Sequence, residues 1–489
     1  MSAEAAHGGP EPMGRRAVRG AFWNILFSIL NKVTTLGAQW VLAWLLVPAD
    51  FGLVALATSI SSLMDVVSVS SLGNILVQQA DEGQFRRDFG QVFWLINAIN
   101  GAMVALTFAV APWIGRAYGQ PKLSPLLMLI AVNGLFTGLS LAHGSALQRS
   151  LRFKSLAFIF LVAGTLQSLA SILLAWLGWG PYAILVPLAL SSLAGLLLQL
   201  RASERLPLGR PEPGRWWAYL APSFWLLFLD LLMALPGQGT SFIMGFTQAT
   251  PQIGIYFWGF SIANQLVFLT CANLRKVLFP TFAALNGQPE RQAAALKRSL
   301  SVMTTALAYL CVLQAVTAGP LIGLFFPDRW RGAGPVVAWI SLGLLTQPLT
   351  MLYYSLMMAR GEYRRVAVNA AVQGLVVVAC AAAGCLPAGS GPASAAAWTA
   401  AGYFAAGLYC GWELLAPYGR PWRTLGGLLA KPLLMAGGCG LLGALALRLA
   451  GPAGLATQLG LGLAVVTGAY ALAIRCFDLE TYRALRSRF

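Results

Sequence analysis

Long apolar runs occupy most of this chain, and they constrain its fold more than any other feature. About 14 such runs lie between charged residues, prolines and glycines, and each is close to the roughly 20 residues that an α-helix needs to cross a bilayer. Hydrophobic residues make up 58% of the sequence and charged residues only 10%, which excludes an ordinary soluble enzyme. The pattern predicts an all-α polytopic membrane protein with about 14 transmembrane helices.

The basic residues predict which ends of these helices face the cytoplasm. Cytoplasmic loops carry an excess of Lys and Arg, and most of the 33 basic residues fall in the inner loops if both termini are cytoplasmic. The formal net charge of +17 then reflects orientation in the membrane. We expect no nucleic-acid partner, because such a partner requires a solvated basic face.

Similar corners in the two halves of the chain predict an internal repeat. The corners at Gly52 and Gly254 resemble each other, and the loops at Arg149 and Arg360 repeat at nearly the same offset of about 200 residues. Pro and Gly are common in any loop corner, which is the simpler explanation. The agreement of the two offsets favours two six-helix lobes in a parallel pseudo-repeat around a central cavity, followed by two C-terminal helices.

This repeat sets the predicted divisions of the chain. They are a cytoplasmic N-terminal tail (1–19), an N-lobe (20–200), a cytoplasmic linker (201–215), a C-lobe (216–417), two further spans (418–474) and a cytoplasmic C-terminal tail (475–489).

Polar residues inside the predicted spans mark a candidate substrate cavity. The first span carries a stripe of them on one arc of about 100°, and a stripe that polar cannot face lipid. The eighth span adds further polar residues. The predicted cavity residues are Lys32, Arg275, Asn24, Ser28, Asn31, Thr35, Gln39, Asn264 and Ser261.

The charged residues in these spans have two interpretations. Lys32 and Arg275 can bind an anionic group of a substrate, or they can form internal ion pairs with Asp65 and Asp230 that only fix helix packing. Arg275 can also be a basic residue at the cytoplasmic end of its span. Asp65 and Asp230 are accordingly candidates for counter-ions or for coupling sites. The sequence leaves these alternatives open.

The loops and the cysteines offer fewer functional signals. Arg149, Arg152 and Arg360, in predicted cytoplasmic loops, are candidates for a cytoplasmic gate. The outer segment around Trp330 suits an interfacial anchor or an exit-side gate, and we favour the anchor. The cysteines lie mostly inside apolar runs, and the pair Cys380 and Cys385 has no His or acidic neighbours, so we predict neither a metal site nor a cofactor.

Four stretches of the sequence carry a family resemblance: residues 45–55, 73–79, 146–154, and 254–256 together with 278–280. They resemble the bacterial oligosaccharide flippase family, the transporters of lipopolysaccharide and exopolysaccharide repeat units. The family belongs to the multidrug/oligosaccharidyl-lipid/polysaccharide superfamily. Pro48 stands where the family often has Gly, and Gln252 stands where the family often has an acidic residue.

The resemblance implies transport without chemistry on the substrate. The cargo would be an oligosaccharide linked to polyprenyl phosphate or pyrophosphate, moved from the cytoplasmic to the periplasmic leaflet of the bacterial inner membrane by alternating access. Lys32 or Arg275 would hold the phosphate, and Asn and Gln side chains would bond the sugar hydroxyls. Membrane lipids would surround the polyprenyl tail. Coupling to protons, to sodium ions or to the membrane potential stays open.

Three other functions compete with this one. A lipid II flippase would differ only in the head group that it carries. A drug or cation exporter on the same scaffold would need an acidic cavity. A membrane polysaccharide polymerase would need catalytic acidic or His groups on outer loops, which carry few acids, so the protein is not expected to be an enzyme.

Overall fold

The computed structural model describes the chain from residue 13 to residue 477, apart from several gaps. The described ranges are 13–64, 76, 81–150, 152–203, 208–285, 287–387, 389–419, 421–450 and 454–477. All regular secondary structure in these ranges is helical. Asp65, a predicted counter-ion or coupling residue, lies outside them.

The helices follow one another with short connections. The first seven are α1 (Met13–Leu45), α2 (Pro48–Met64), α3 (Glu82–Ala117), α4 (Leu123–Arg149), α5 (Phe153–Trp176), α6 (Tyr182–Ala202) and α7 (Pro213–Thr247). The remaining helices are α8 (Thr250–Ala284), α9 (Pro289–Phe325), α10 (Ala333–Gly343), α11 (Gln347–Ala359), α12 (Tyr363–Cys385), α13 (Pro392–Leu415), α14 (Pro421–Leu449) and α15 (Leu455–Phe477).

Many of these helices are long and apolar enough to cross a bilayer. Within the described ranges, nine helical segments meet that requirement, and one of them combines α10 and α11 through a short 3-10 turn, Leu344–Thr346. Large apolar side chains such as Trp44 on α1 and Leu441 on α14 are exposed, as lipid-facing residues of a spanning helix would be. The prediction of an all-α membrane protein is confirmed.

The chain divides into two compact units. Unit 1 contains residues 1–46 and 64–227, and unit 2 contains residues 47–63 and 228–489. Most of α2 therefore packs with unit 2, although it follows α1 directly in the sequence, and α7 contributes its first part to unit 1 and the rest to unit 2.

Unit 1 is built from helices that pack in pairs. Helix α1 lies along α5, α5 lies along α6, and α4 contacts both α3 and α6. Phe89 and Ile96 of α3 are fully buried against α4. The segment that leads into α7 is held by Gln91, whose amide donates to the carbonyl oxygen of Arg210 at 2.8 Å and accepts from the backbone N–H of Glu212 at 2.9 Å.

Unit 2 contains a buried aromatic cluster around Trp330. The ring of Trp330 lies 4.5 Å from the ring of Trp258 and 5.2 Å from that of Phe51, and the ring of Phe326 lies 4.7 Å from that of Trp258, between ring centroids. Trp330 is 0% exposed. The favoured prediction that Trp330 is an interfacial anchor is wrong. An anchoring Trp must expose its ring at the membrane surface, whereas the ring of Trp330 packs against other aromatic rings inside the unit.

The first turns of α2 and α8 cross each other inside unit 2. A Cβ atom added to Gly52 would overlap the carbonyl oxygen of Thr250, and one added to Gly254 would overlap the carbonyl oxygen of Pro48. Pro48 and Thr250 begin their helices, and each glycine lies four residues further along. The contact is therefore reciprocal, and in both directions the obstructing atom belongs to the backbone.

Candidate functional site

A cavity of about 490 Å³ lies within unit 1, between α1, α4, α5 and α6. This volume is in the range of small-molecule sites, about 300–1,000 Å³. Apolar positions such as Phe27 and Phe160 form part of its wall. Its polar lining residues are Ser28, Asn31, Lys32, Thr137, Ser140, Gln167, Ser191, Ser192 and Gln199.

The polar stripe predicted on α1 contributes only partly to this cavity. Ser28, Asn31 and Lys32 line it, one helical turn apart or less, as the helical period requires. Thr35 instead uses its hydroxyl to donate to the backbone carbonyl of Asn31 at 2.8 Å. Gln39 lies further along the helix, half-buried and outside the lining. The side chain of Asn24 is not among those that the structure describes.

The hydroxyl groups of α4 and α6 already donate their protons inside unit 1. Ser192 donates to the Asn133 side-chain oxygen at 2.6 Å, and Ser191 donates to a backbone carbonyl one turn earlier at 2.8 Å. Ser140 and Thr137 donate to backbone carbonyls of α4 at 2.9 and 3.0 Å. A hydroxyl has one proton, so only the acceptor lone pairs of these four oxygens remain for a ligand.

Two amide side chains of the cavity lining pack on glycines of neighbouring helices. A Cβ atom at Gly164 of α5 would overlap the side-chain oxygen of Asn31 and lie 2.9 Å from its Cγ. A Cβ atom at Gly144 of α4 would lie 3.1 Å from Oε1 of Gln199. Oδ1 of Asn31 and Oε1 of Gln199 are both buried, and no donor in the described part of the chain bonds to either.

Lys32 supplies the cavity's positive charge. It is the one charged residue among the described lining side chains, and it is half-buried. No ion pair of Lys32 occurs with another residue in the described ranges. Its predicted partner, Asp65, lies outside those ranges, so the ion pair between them stays a prediction.

The predicted cavity residues of α8 belong to unit 2 and do not line this cavity. Ser261 and Asn264 are half-buried there. Arg275 lies on α8 and Asp230 on α7, but neither side chain is described. Their roles as cavity residue and as counter-ion or coupling residue remain predictions.

The three arginines proposed as gate residues lie at the ends of helices. The guanidinium of Arg149 lies 4.2 Å from the ring centroid of Phe85, and that of Arg152 donates to the carbonyl of Ala202 at 2.8 Å. Arg360 donates to Oε1 of Gln292 through two nitrogens, at 2.6 and 3.3 Å. These contacts do not test whether the three arginines form a gate, so that role stays a prediction.

A second polar cluster, which the sequence analysis missed, is buried in unit 2. Asn369 of α12 donates to a carboxylate oxygen of Glu413 at 2.6 Å and accepts from Gln373 at 2.6 Å and from the thiol of Cys410 at 3.0 Å. The Tyr354 hydroxyl accepts from Gln373 at 3.1 Å. Asn369 is 0% exposed. Because the Asn369 oxygen already receives these donors, the cluster is a network of mutually satisfied groups and not an open site.

Comparison with known proteins places these features in a family. A family profile described as polysaccharide biosynthesis protein matches residues 41–335. The succinoglycan biosynthesis transport protein ExoT of Rhizobium meliloti is 28% identical over 341 residues, which are 68% of this chain and 68% of that protein. The lipopolysaccharide biosynthesis protein WzxC of Escherichia coli is 20% identical over 357 residues, which are 71% of this chain and 70% of that protein.

Solved structures share the fold at low sequence identity. The lipid II flippase MurJ, in an inward closed conformation, aligns with a TM-score of 0.73 and 14% identity over 92% of this chain and 99% of that chain. A multidrug resistance transporter of the MATE family, in an inward-facing conformation, aligns with a TM-score of 0.64 and 13% identity over 81% of this chain and 94% of that chain. The helices described above therefore adopt the MurJ/MATE fold. Because the family profile covers more than half of the chain, this protein belongs to the polysaccharide biosynthesis protein family.

Proposed function

We propose that this protein is a lipid-linked oligosaccharide flippase. It moves a repeat unit on polyprenyl phosphate or pyrophosphate from the cytoplasmic to the periplasmic leaflet by alternating access, for the synthesis of lipopolysaccharide or exopolysaccharide. The names of the relatives support transport in polysaccharide biosynthesis, and the fold supports a flippase or exporter. The observation that carries the proposal is a polar cavity inside a bundle of apolar helices, with Lys32 as the one basic residue among its described lining residues.

The cavity has the chemistry that such a cargo needs. A sugar head group cannot cross hydrocarbon alone, because each hydroxyl would lose its hydrogen bonds to water. The amides and hydroxyls of unit 1 replace those bonds. Lys32 binds the phosphate that joins sugar to lipid. Arg275, which does not line this cavity, stays a predicted second cation for the cargo. The polyprenyl tail needs no polar site and stays among the membrane lipids.

The proposed topology has 14 spans with both termini in the cytoplasm of a bacterial cell, in the inner membrane. Arg149 near the end of α4, Arg201 near the end of α6 and Arg475 near the end of α15 support it, since all three helices would end on the cytoplasmic side. Transport is coupled to protons, to sodium ions or to the membrane potential, and Asp65 and Asp230 are the candidate residues for coupling to an ion.

The cavity disfavours the rival exporter of cationic drugs. Its described lining contains Lys32 and no carboxylate, so a cationic drug would meet a like charge there. A lipid II flippase differs from the proposed function only in the head group. The proposed function requires no catalytic group.

The test of this function locates the lipid-linked repeat unit in cells that lack the protein. The expected result is accumulation on the cytoplasmic leaflet, with periplasmic labelling restored by the wild-type gene. Accumulation on the periplasmic leaflet would instead place the protein at a later step and contradict flipping. Normal distribution of the repeat unit with altered drug resistance would favour the exporter.

A further inference from the structure

We propose that the unit 1 cavity is the subsite for the sugar rings of the cargo, and that Asn31 and Gln199 select free sugar hydroxyls there. The proposal rests on the flippase function and deepens it. It assigns the phosphate to Lys32 and the sugar hydroxyls to the amides and hydroxyls of the wall.

The hydrogen-bonding state of the wall favours a donor ligand. Thr137, Ser140, Ser191 and Ser192 have each given their proton to an acceptor inside unit 1. These four oxygens therefore act only as acceptors, and the nitrogen donors of the wall are Lys32 and the side-chain amides of Asn31, Gln167 and Gln199. A sugar hydroxyl both donates and accepts, so it can bond to both kinds of group. Ionised phosphate oxygens only accept, so they cannot bond to the four hydroxyl oxygens.

The two buried amides add acceptors that a ligand can recruit. Oδ1 of Asn31 and Oε1 of Gln199 are covered, and among the residues that the structure describes none donates a hydrogen bond to them. A buried carbonyl oxygen without a donor is unfavourable, whereas rotation about the terminal torsion of Asn or Gln is broad and soft. Such a rotation turns each carbonyl toward the cavity, and a sugar hydroxyl that donates to it removes the cost. These two amides therefore favour a ligand that donates hydrogen bonds to their carbonyl oxygens.

The glycines behind these amides set their positions. Gly164 leaves room for the Asn31 amide, and Gly144 leaves room for the Gln199 amide. Alanine at position 164 would push the Asn31 amide away without changing any polar group of the cavity. Gly164 is therefore a positioning residue for Asn31.

The order of residues on α1 matches the order of groups in the cargo. The first sugar is bonded directly to the phosphate of the lipid carrier. Lys32 and Asn31 are consecutive, and both line the cavity. The phosphate and the first sugar are joined by one covalent bond, so the side chains that bind them must also be neighbours. Lys32 for the phosphate and Asn31 for the first sugar meet that requirement.

The experiment measures binding to purified full-length protein in detergent with four probes. The first is the lipid-linked precursor extracted from cells that lack this protein. The second is the oligosaccharide released from that precursor by mild acid, the third is the same oligosaccharide after O-methylation, and the fourth is polyprenyl phosphate. Methylation removes the hydroxyl protons and keeps the oxygens, so it tests donation directly.

We expect Gly164→Ala and Asn31→Leu each to weaken binding of the precursor and of the free oligosaccharide about fivefold to tenfold, the effect of one neutral hydrogen bond. Affinity for polyprenyl phosphate should not change, and the methylated oligosaccharide should bind weakly to the wild type. Gly134→Ala is the matched control, because a Cβ atom at Gly134 has no atom within 4 Å. It should bind all probes like the wild type.

Several results would overturn the proposal. They are unchanged oligosaccharide binding in both variants, an equal loss of affinity for polyprenyl phosphate, or full binding of the methylated oligosaccharide. Asn31→Leu keeps the branched shape and the number of heavy atoms of the side chain, so it decides the matter if Gly164→Ala fails to fold. Wild-type protein that binds none of the probes contradicts the flippase function itself, which separates that failure from the failure of the sugar subsite.

Discussion

Replacement of Lys32 tests whether its charge serves the cargo or only the packing of helices. Lys32→Met removes the ammonium while it keeps most of the length of the side chain. We expect this variant to reach the membrane in normal amounts and to lose export of the polysaccharide. Lys32→Arg keeps the charge and should retain a measurable part of the export.

The size of the effect follows from the place of Lys32 in the cavity. A hydrogen bond to a charged group contributes about 1.5–3 kcal/mol, which is about 10-fold to 150-fold in affinity. Lys32 is the one charged residue among the described lining side chains, so no other cation of that lining can replace it. We therefore expect binding of the lipid-linked precursor to weaken by about that factor in Lys32→Met.

Two measurements on the same variants separate the two roles of Lys32. Polysaccharide yield per amount of membrane-inserted protein reports transport, and the melting temperature in detergent reports stability. Lys122→Met, at an exposed lysine just before α4 in the same unit, is the control and should change neither.

If Lys32 serves only helix packing, the same variants should behave differently. If Lys32 only pairs with Asp65, its loss leaves a buried carboxylate unpaired and costs about 3–5 kcal/mol of stability. The double variant Lys32→Met/Asp65→Leu would then recover both stability and export. Such a recovery, or wild-type export by Lys32→Met alone, would refute a substrate role for Lys32.

Other predictions concern unit 2. Gly52→Ala and Gly254→Ala should each lower the free energy of unfolding by about 1–3 kcal/mol through overpacking. The double variant should lose less than the sum of the two, because both changes push apart the same two helix ends. Thermal unfolding measures both effects. Trp330→Ala should destabilise by about 3–5 kcal/mol, measured as a lower melting temperature. Asn369→Leu should leave Glu413 without its donor and cost about 1–3 kcal/mol in the same assay.

Controls and contrary outcomes are available for each of these changes. Gly437→Ala, where a Cβ atom has no atom within 4 Å, should be neutral and controls for the alanine substitution itself. Strict additivity of the two corner variants would contradict a shared contact. A Trp330→Ala protein with unchanged melting temperature would contradict its burial, and an Asn369→Leu protein as stable as the wild type would show that Glu413 finds another donor.

The sequence predicted the site on α1 because a single helix has a known period. Ser28, Asn31 and Lys32 fall on one face whatever surrounds that helix. The other side of the cavity was missed because Gln167 and Ser192 belong to short groups of polar residues in otherwise apolar helices, with no charged residue among them. Such residues often bond to their own backbone, and only the packing of α5 and α6 against α1 gives them a common cavity.

The wrong prediction for Trp330 and the unpredicted role of Gly164 also have local causes. Trp330 was expected at the membrane surface because it stands between two arginines after an apolar run, and Trp is common at interfaces. The structure turns its ring inward against Trp258, a contact between distant segments that no periodicity reveals. Gly164 likewise has the pattern of an ordinary packing glycine, and its neighbour Asn31 is visible only in three dimensions.

The close approach of α2 and α8 constrains both of its glycine positions at once. At each of them a side chain would overlap a backbone carbonyl of the other helix, and no second substitution can remove that atom. A change at one glycine therefore cannot be compensated by a change of side chain on the other helix, so we expect Gly52 and Gly254 to tolerate substitution less than any surface glycine of the chain.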